Sequence, residues 1–231
     1  ALFPSLPASC NVTSEINSNS SQSHIIELLK IASKFYRLDL LDEALRCVDL
    51  ALSLDENFNP SLIAKGILSS RLDDDSAESI EFFERATKVN EDAYAAWFYL
   101  AEIYKEENNL ERAIESYLKS VEAYFSMTGK TNHQAAWLGL LTIYSQREEL
   151  DNINAANVIF LANDSNSIAS LIDQGYAFLA LEINVNIALE IFRRAESLDK
   201  VRSSLTRSQI LSGEGVVHLR QGDIDSAIRF L

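Results

Sequence analysis

The sequence has 231 residues, of which 47% are hydrophobic, and it contains only 7 Gly and 3 Pro. Proteins built of many short strands need Gly, Pro and Asn at their turns, so this composition argues against an all-β fold. The high apolar content also excludes disorder along most of the chain. These features predict an ordered and mostly helical protein.

The net charge is −14. An acidic surface repels phosphate backbones, so we expect no direct binding to nucleic acid. Two interpretations of the acidity stay open, because it either keeps the protein in solution or attracts a basic partner. The acidic residues concentrate in two neighbouring stretches, namely Asp73, Asp74, Asp75, Glu78, Glu81 and Glu84, then Glu106, Glu107, Glu111 and Glu115.

The two cysteines, Cys10 and Cys47, lie in different segments without metal-ligand spacing. We therefore expect free thiols in a reducing compartment, and we predict an intracellular protein of the cytoplasm or nucleus. The sequence has no run of about 18 apolar residues, which predicts that the chain does not insert into a membrane.

Residues 1–23 hold two of the three prolines and a Ser/Asn-rich run, which predicts an extended or flexible N-terminal arm. From His24 onward, apolar residues recur at spacings of three and four, as on one face of a helix. The short connection at residues 37–41 predicts that the first two helices are antiparallel.

The helical pair then repeats along the chain. One position midway along each first helix marks the period, and most of its occupants are small: Ala32, Gly66, Ala101, Leu141, Gly175 and Gly215. The period is about 34 residues, with two helices per unit, as in a helical solenoid. Small residues let the two helices of a hairpin cross closely, so we expect the helix crossings at these positions. Residues 24–231 are thus predicted to form about six hairpins, truncated within the sixth.

The third of these units resembles a tetratricopeptide repeat over residues 94–127, with matching positions at Trp97, Leu100, Ala101, Tyr104, Ala113 and Tyr117. The resemblance extends over residues 25–231, although the second, fourth and fifth units are irregular. It implies an all-α solenoid that winds into a right-handed superhelix, with the first helix of each hairpin lining a concave face.

A partner peptide usually lies across that concave face in the family. The resemblance implies that the partner-binding residues here are Tyr36, Arg37, Ile63, Ile67, Arg71, Phe98, Tyr99, Glu102, Lys105, Leu138, Asp173 and Tyr176. One branch of the family grips a carboxylate with Lys, Asn and Arg on successive first helices. Those residue types are absent from the corresponding positions in the first three units, so a chaperone-tail adaptor is not expected.

No motif in the sequence indicates catalysis. The three histidines, His24, His133 and His218, lie far apart and lack partners at metal-ligand spacing. The triplet at residues 73–75 lacks the alternating ligands and central Gly of a calcium loop. We therefore predict a non-enzymatic protein without a metal site or cofactor.

The sequence thus predicts a protein-interaction scaffold that binds a peptide segment or subunit and belongs to a larger complex. An alternative of a different kind is an acidic chaperone or escort for a basic client protein. The two differ in their salt dependence, because a charge-driven complex weakens steeply as ionic strength rises.

Overall fold

A computed structural model of the chain describes residues 18–72, 76–131, 133–160, 167–181, 185–198 and 204–230. These residues contain twelve helices and no strand, which confirms the predicted all-α fold of helical hairpins. The helices are α1 Ser18–Arg37, α2 Leu41–Leu54, α3 Asn59–Leu72, α4 Ser76–Val89, α5 Tyr94–Glu106, α6 Leu110–Thr128, α7 Gln134–Gln146, α8 Leu150–Phe160, α9 Ile168–Ala180, α10 Val185–Leu198, α11 Ser204–Arg220 and α12 Ile224–Phe230.

The chain divides into two compact units, residues 1–103 and residues 104–231, with the boundary inside α5. Helix α1 begins at Ser18, within the segment predicted as an arm, and residues 1–17 lie outside the described part. The Ser/Asn-rich start of α1 has no apolar period of its own. It continues a helix whose Ile25 and Leu28 are buried, so packing farther along the helix decides its conformation.

In the first unit, α1 and α2 bury their apolar faces against each other and against α3. One cluster joins Ala32 and Phe35 of α1 to Ala44 and Val48 of α2 and Leu68 of α3. A second, smaller cluster joins the start of α1 to the end of α2. Since each helix presents only one apolar stripe, a hairpin completes its core by packing on the next hairpin.

Cys47 of α2 is fully buried in the first of these clusters and is disulfide-bonded. The described residues include no free cysteine. The expectation of free thiols is therefore wrong at Cys47. Sequence spacing could not reveal this bond, because a disulfide depends on which segments meet in the fold.

Four of the hairpin turns share one backbone conformation. Asp39, Asn108, Glu148 and Gly222 all have positive φ, between 56° and 78°. In each turn the next residue donates its N–H to the carbonyl five residues earlier, as Leu40 does to Phe35 at 3.0 Å. This hydrogen bond satisfies a carbonyl that has no partner within the helix, and it fixes the direction in which the second helix starts.

Side-chain caps fix the start of four helices in the second unit. The side chains of Asn109, His133, Ser167 and Asp223 each accept a hydrogen bond from the backbone N–H three residues later. Burial lowers the pKa of His133, which favours the neutral ring whose Nδ1 can accept this bond. These caps replace hydrogen bonds that the first turn of a helix cannot make for itself.

Glycines face buried aromatic rings where the helices approach most closely. A Cβ atom at Gly66 of α3 would lie 2.7 Å from the Phe83 ring of α4. In the second unit, Gly175 of α9 and Gly213 of α11 both face the fully buried Phe192 ring of α10, at 2.6 and 2.4 Å. Gly66 and Gly175 confirm two of the predicted crossings, and Gly213 shows that close approach also occurs between hairpins.

The fourth unit departs from the predicted series. Its marker residue, Leu141, is only half-buried, and the close contact occurs instead at Gly139 of α7. A Cβ atom at Gly139 would lie 2.3 Å from the Tyr117 ring of α6, in the preceding hairpin. Gly139, like Gly213, thus serves close approach between hairpins, two positions before the residue expected to mark the crossing within its own hairpin.

We predict that Gly175→Ala destabilises the protein by about 1–3 kcal/mol, because the added methyl group overpacks the contact with Phe192. Movement of the ring away from residue 175 is restricted, because the backbone at Gly213 faces the same ring. Thermal unfolding followed by circular dichroism measures the effect. The matched control is Phe192→Leu, and the double variant should lose less stability than the sum of the two single changes. Strict additivity would show that the helices do not cross at this contact.

Candidate protein-binding surface

Arg71 of α3 lies over the ring of Tyr36 of α1 in the first unit, with its guanidinium carbon 5.2 Å from the ring centroid. Its Nη1 donates to the Tyr36 hydroxyl at 3.3 Å, and its Nη2 pairs with the Asp39 carboxylate at 3.2 Å. The Tyr36 hydrogen bond is the main cause that raises the pKa of Arg71, and Asp39 adds to it. Arg71 is thus a fixed cation at the surface, held by one aromatic ring and one carboxylate.

Tyr99 of α5 extends this surface to the third odd-numbered helix. Its ring stacks on Phe83 with centroids 5.3 Å apart, and Phe98 meets it edge-on at 5.6 Å. Burial, followed by the proximity of Tyr36, raises the pKa of Tyr99. Tyr36 thus acts electrostatically on Tyr99, and we group their side chains on one surface. We call Tyr36, Arg71, Phe98 and Tyr99 the aromatic–arginine cluster.

The other predicted residues of the first unit lie around this cluster with different exposures. Ile63 and Ile67 are half-buried and stand two turns and one turn, respectively, before Arg71 on α3. Glu102 is half-buried near the end of α5. Arg37 is exposed, and its Nε donates to the Ser33 carbonyl at 3.2 Å. Apolar, acidic and basic groups therefore all lie beside the cluster.

The predicted residues of the second unit form no comparable cluster. Lys105 donates to the Tyr117 hydroxyl at 3.1 Å and lies over that ring, so its contact is with α6. Tyr176 donates to the Gln209 carbonyl at 2.9 Å and packs edge-on against Phe192. Leu138 and Asp173 are exposed on α7 and α9. The denser grouping of predicted residues is that of the first unit.

Two residues that support the cluster did not emerge from the sequence. Asp39 holds Arg71 from the turn between α1 and α2, where its positive φ marks a turn conformation that Asp tolerates. Phe83 lies beneath Tyr99 and also against Gly66. A pattern confined to the first helices cannot indicate either one, because Asp39 belongs to a turn and Phe83 to a second helix.

The described residues contain no group of three or more His, Cys, Asp or Glu side chains arranged to hold a metal ion. Within the same part of the chain, no helix is both long enough and apolar enough to span a bilayer. The features that the surface offers to a ligand are thus aromatic rings, aliphatic side chains and a fixed guanidinium.

A sequence model of the tetratricopeptide repeat matches residues 94–126, which correspond to α5 and most of α6. No curated protein matches the chain in sequence. The matched stretch includes Phe98, Tyr99, Glu102 and Lys105 of the predicted surface.

Two solved structures align with most of the chain. A tetratricopeptide repeat protein from Parabacteroides merdae ATCC 43184 is 14% identical, with 92% of this chain and 78% of that chain covered and a TM-score of 0.49. The protein MamA is 12% identical, with 87% and 90% covered and a TM-score of 0.36. At these scores neither likeness supports a conclusion about what this chain binds.

We predict that Tyr36→Phe lowers the pKa of Tyr99 but leaves it above the usual value for tyrosine. The change removes the hydroxyl of Tyr36, whereas burial, the larger cause of the raised pKa, remains. NMR titration with tyrosine labelled at the ring carbon that bears the hydroxyl measures the midpoint directly. Tyr124→Phe, in the other unit, is the control and should leave Tyr99 unchanged. An unaltered midpoint in Tyr36→Phe would show that the two rings do not face each other.

Proposed function

We propose that this chain, which a sequence model of the tetratricopeptide repeat matches over residues 94–126, is a non-catalytic scaffold that binds a partner protein. In this proposal the partner contributes a peptide segment or a subunit surface, which lies against the odd-numbered helices. The aromatic–arginine cluster of the first unit is the centre of the binding surface. The protein acts as one subunit of a multiprotein complex.

The observation that carries this proposal is the fixed geometry of Arg71 between Tyr36 and Asp39. Arginine and tyrosine are enriched among the residues that dominate binding energy at protein interfaces. A side chain already held in place loses less conformational entropy when a partner binds. The cluster therefore has both the composition and the preorganisation of an interface centre.

The surroundings of the cluster indicate the chemistry of the partner segment. Ile63, Ile67 and Phe98 offer apolar area, and the guanidinium of Arg71 offers hydrogen-bond donors. A segment that fits has an apolar side chain next to a hydrogen-bond acceptor, such as a backbone carbonyl or a carboxylate. Affinity then comes mainly from apolar burial, so the complex should persist as ionic strength rises.

We predict that Arg71→Ala reduces recovery of the partner about tenfold or more, because the cluster loses its fixed cation. Arg46→Ala is the matched control, since it removes an exposed arginine from α2 of the same unit. The measurement is affinity capture with wild type and both variants, washed at low and high salt, with quantification by mass spectrometry.

We expect to recover one set of subunits with the wild-type protein even after a high-salt wash. Arg46→Ala should leave this recovery unchanged, and Arg71→Ala should abolish it. Recovery that is equal for both variants would contradict the location of the binding surface. Basic proteins that leave in high salt, with no dependence on Arg71, would favour the escort for a basic client and refute the scaffold.

The proposal places the protein inside the cell, and the disulfide at Cys47 is the observation that opposes it. Disulfides persist mainly in oxidising compartments. An intracellular protein should carry Cys47 as a thiol, shielded in the core of α1 and α2. The oxidation state of Cys47 can be measured by mass spectrometry. The source cells are quenched with acid, the protein is alkylated under denaturing conditions, and the Cys47 peptide is analysed. The structure predicts that Cys47 is blocked from alkylation, a result that would overturn the intracellular location. An alkylated thiol would instead support that location.

A further inference from the structure

A cavity of about 580 Å³ lies in the second unit, where the end of α6 meets α9 and α10. Its volume falls within the range of roughly 300–1,000 Å³ that is typical of small-ligand sites. Phe125, Leu171 and Ile191 provide apolar wall, and Thr131 and Gln174 provide polar groups. None of the predicted partner-binding residues lines this cavity, so it is separate from the surface described above.

The cavity depends on an irregularity in the repeat. Helix α6 has 19 residues and ends at Thr128. Gly129 caps it, with φ 66° and its N–H donated to the Phe125 carbonyl. The segment beyond it is tied to the later helices, because Thr131 Oγ1 donates to Gln174 Oε1 at 2.7 Å. Arg194 of α10 also reaches back to the Gly129 carbonyl at 3.4 Å. The lengthened helix thus supplies one wall of a space bounded by α9 and α10.

The charge of the cavity is opposite to that of the protein. Lys130, Arg193 and Arg194 line it together with one acidic residue, Glu190, although the whole chain carries −14. A concave site lined by one sign of charge attracts ligands of the opposite sign. Three cations against one carboxylate therefore select for anions.

Two polar groups are suited to contact such a ligand. Arg193 is exposed and makes no hydrogen bond or ion pair with another described residue, although its charge acts on Glu214 of α11. The Gln174 amide is buried and held in place by Thr131 and Ser170. The cavity thus combines an available guanidinium with a fixed amide next to apolar walls.

We propose that this cavity binds an oxyanion carried on an apolar group, with Arg193 as the principal contact to the oxyanion. An acidic side chain beside an apolar one in a peptide segment has this chemistry, and so does a small organic acid. The guanidinium fork of Arg193 pairs with the two oxygens of a carboxylate, while Phe125, Leu171 and Ile191 cover the apolar group.

The experiment is an NMR titration of the full chain with four probes, read at the backbone amides of Thr131 and Gln174. The probes are hexanoate, the peptide N-acetyl-Leu-Glu-Leu-amide, its neutral Gln counterpart and inorganic phosphate. Arg193→Gln is the test variant. Arg207→Gln, an exposed arginine of α11 in the same unit, is the matched control. Circular dichroism verifies that both variants keep the wild-type melting temperature.

The expected result is saturable binding of hexanoate or the Glu peptide, weakened about tenfold by Arg193→Gln and unchanged by Arg207→Gln. Tighter binding of the peptide identifies a partner segment as the source of the oxyanion, and tighter binding of hexanoate identifies a small acid. The proposal would be overturned if neither hexanoate nor the Glu peptide bound saturably. It would also be overturned if the neutral peptide or phosphate bound as tightly as these two probes.

Discussion

Close approach of a helix backbone to a buried aromatic ring is the constraint on which the rest of this structure depends. Phe83 against Gly66 in the first unit, and Phe192 against Gly175 and Gly213 in the second, leave no room for a side chain at the glycine. Such a contact fixes both the distance between two helices and the point at which they cross. Interior packing density makes that arrangement hard to deform, so the surfaces built on it have defined geometry.

The proposed binding surface rests on this packing in the first unit. Phe83 fills the space beside Gly66 and also stacks on Tyr99, so the same ring that sets a crossing supports the aromatic–arginine cluster. Arg71 lies five residues after Gly66 on α3. Its guanidinium is hydrogen-bonded to Tyr36 and Asp39 of the first hairpin. A surface supported from beneath by core residues can present its side chains with a smaller entropic cost of ordering them on binding.

Much of the fold could be predicted from the sequence, because apolar periodicity and small residues carry local information. The helical hairpins and the crossings at Gly66 and Gly175 followed from those patterns. Gly139 lies two positions from the expected marker, since the ring it faces, Tyr117, belongs to the preceding hairpin. The disulfide at Cys47, the support of Arg71 by Asp39 and the cavity at the end of α6 all depend on residues distant in sequence. Periodicity along a single helix holds no information about such contacts.

Site-specific photo-crosslinking tests most directly whether the partner lies against the odd-numbered helices of the first unit. A photoreactive amino acid would replace Arg37, exposed on α1 beside the aromatic–arginine cluster, or Leu50, exposed on α2. If the proposed surface binds the partner, crosslinks form from position 37 and not from position 50. Crosslinks from position 50 alone would contradict the account and place the partner on the second helices.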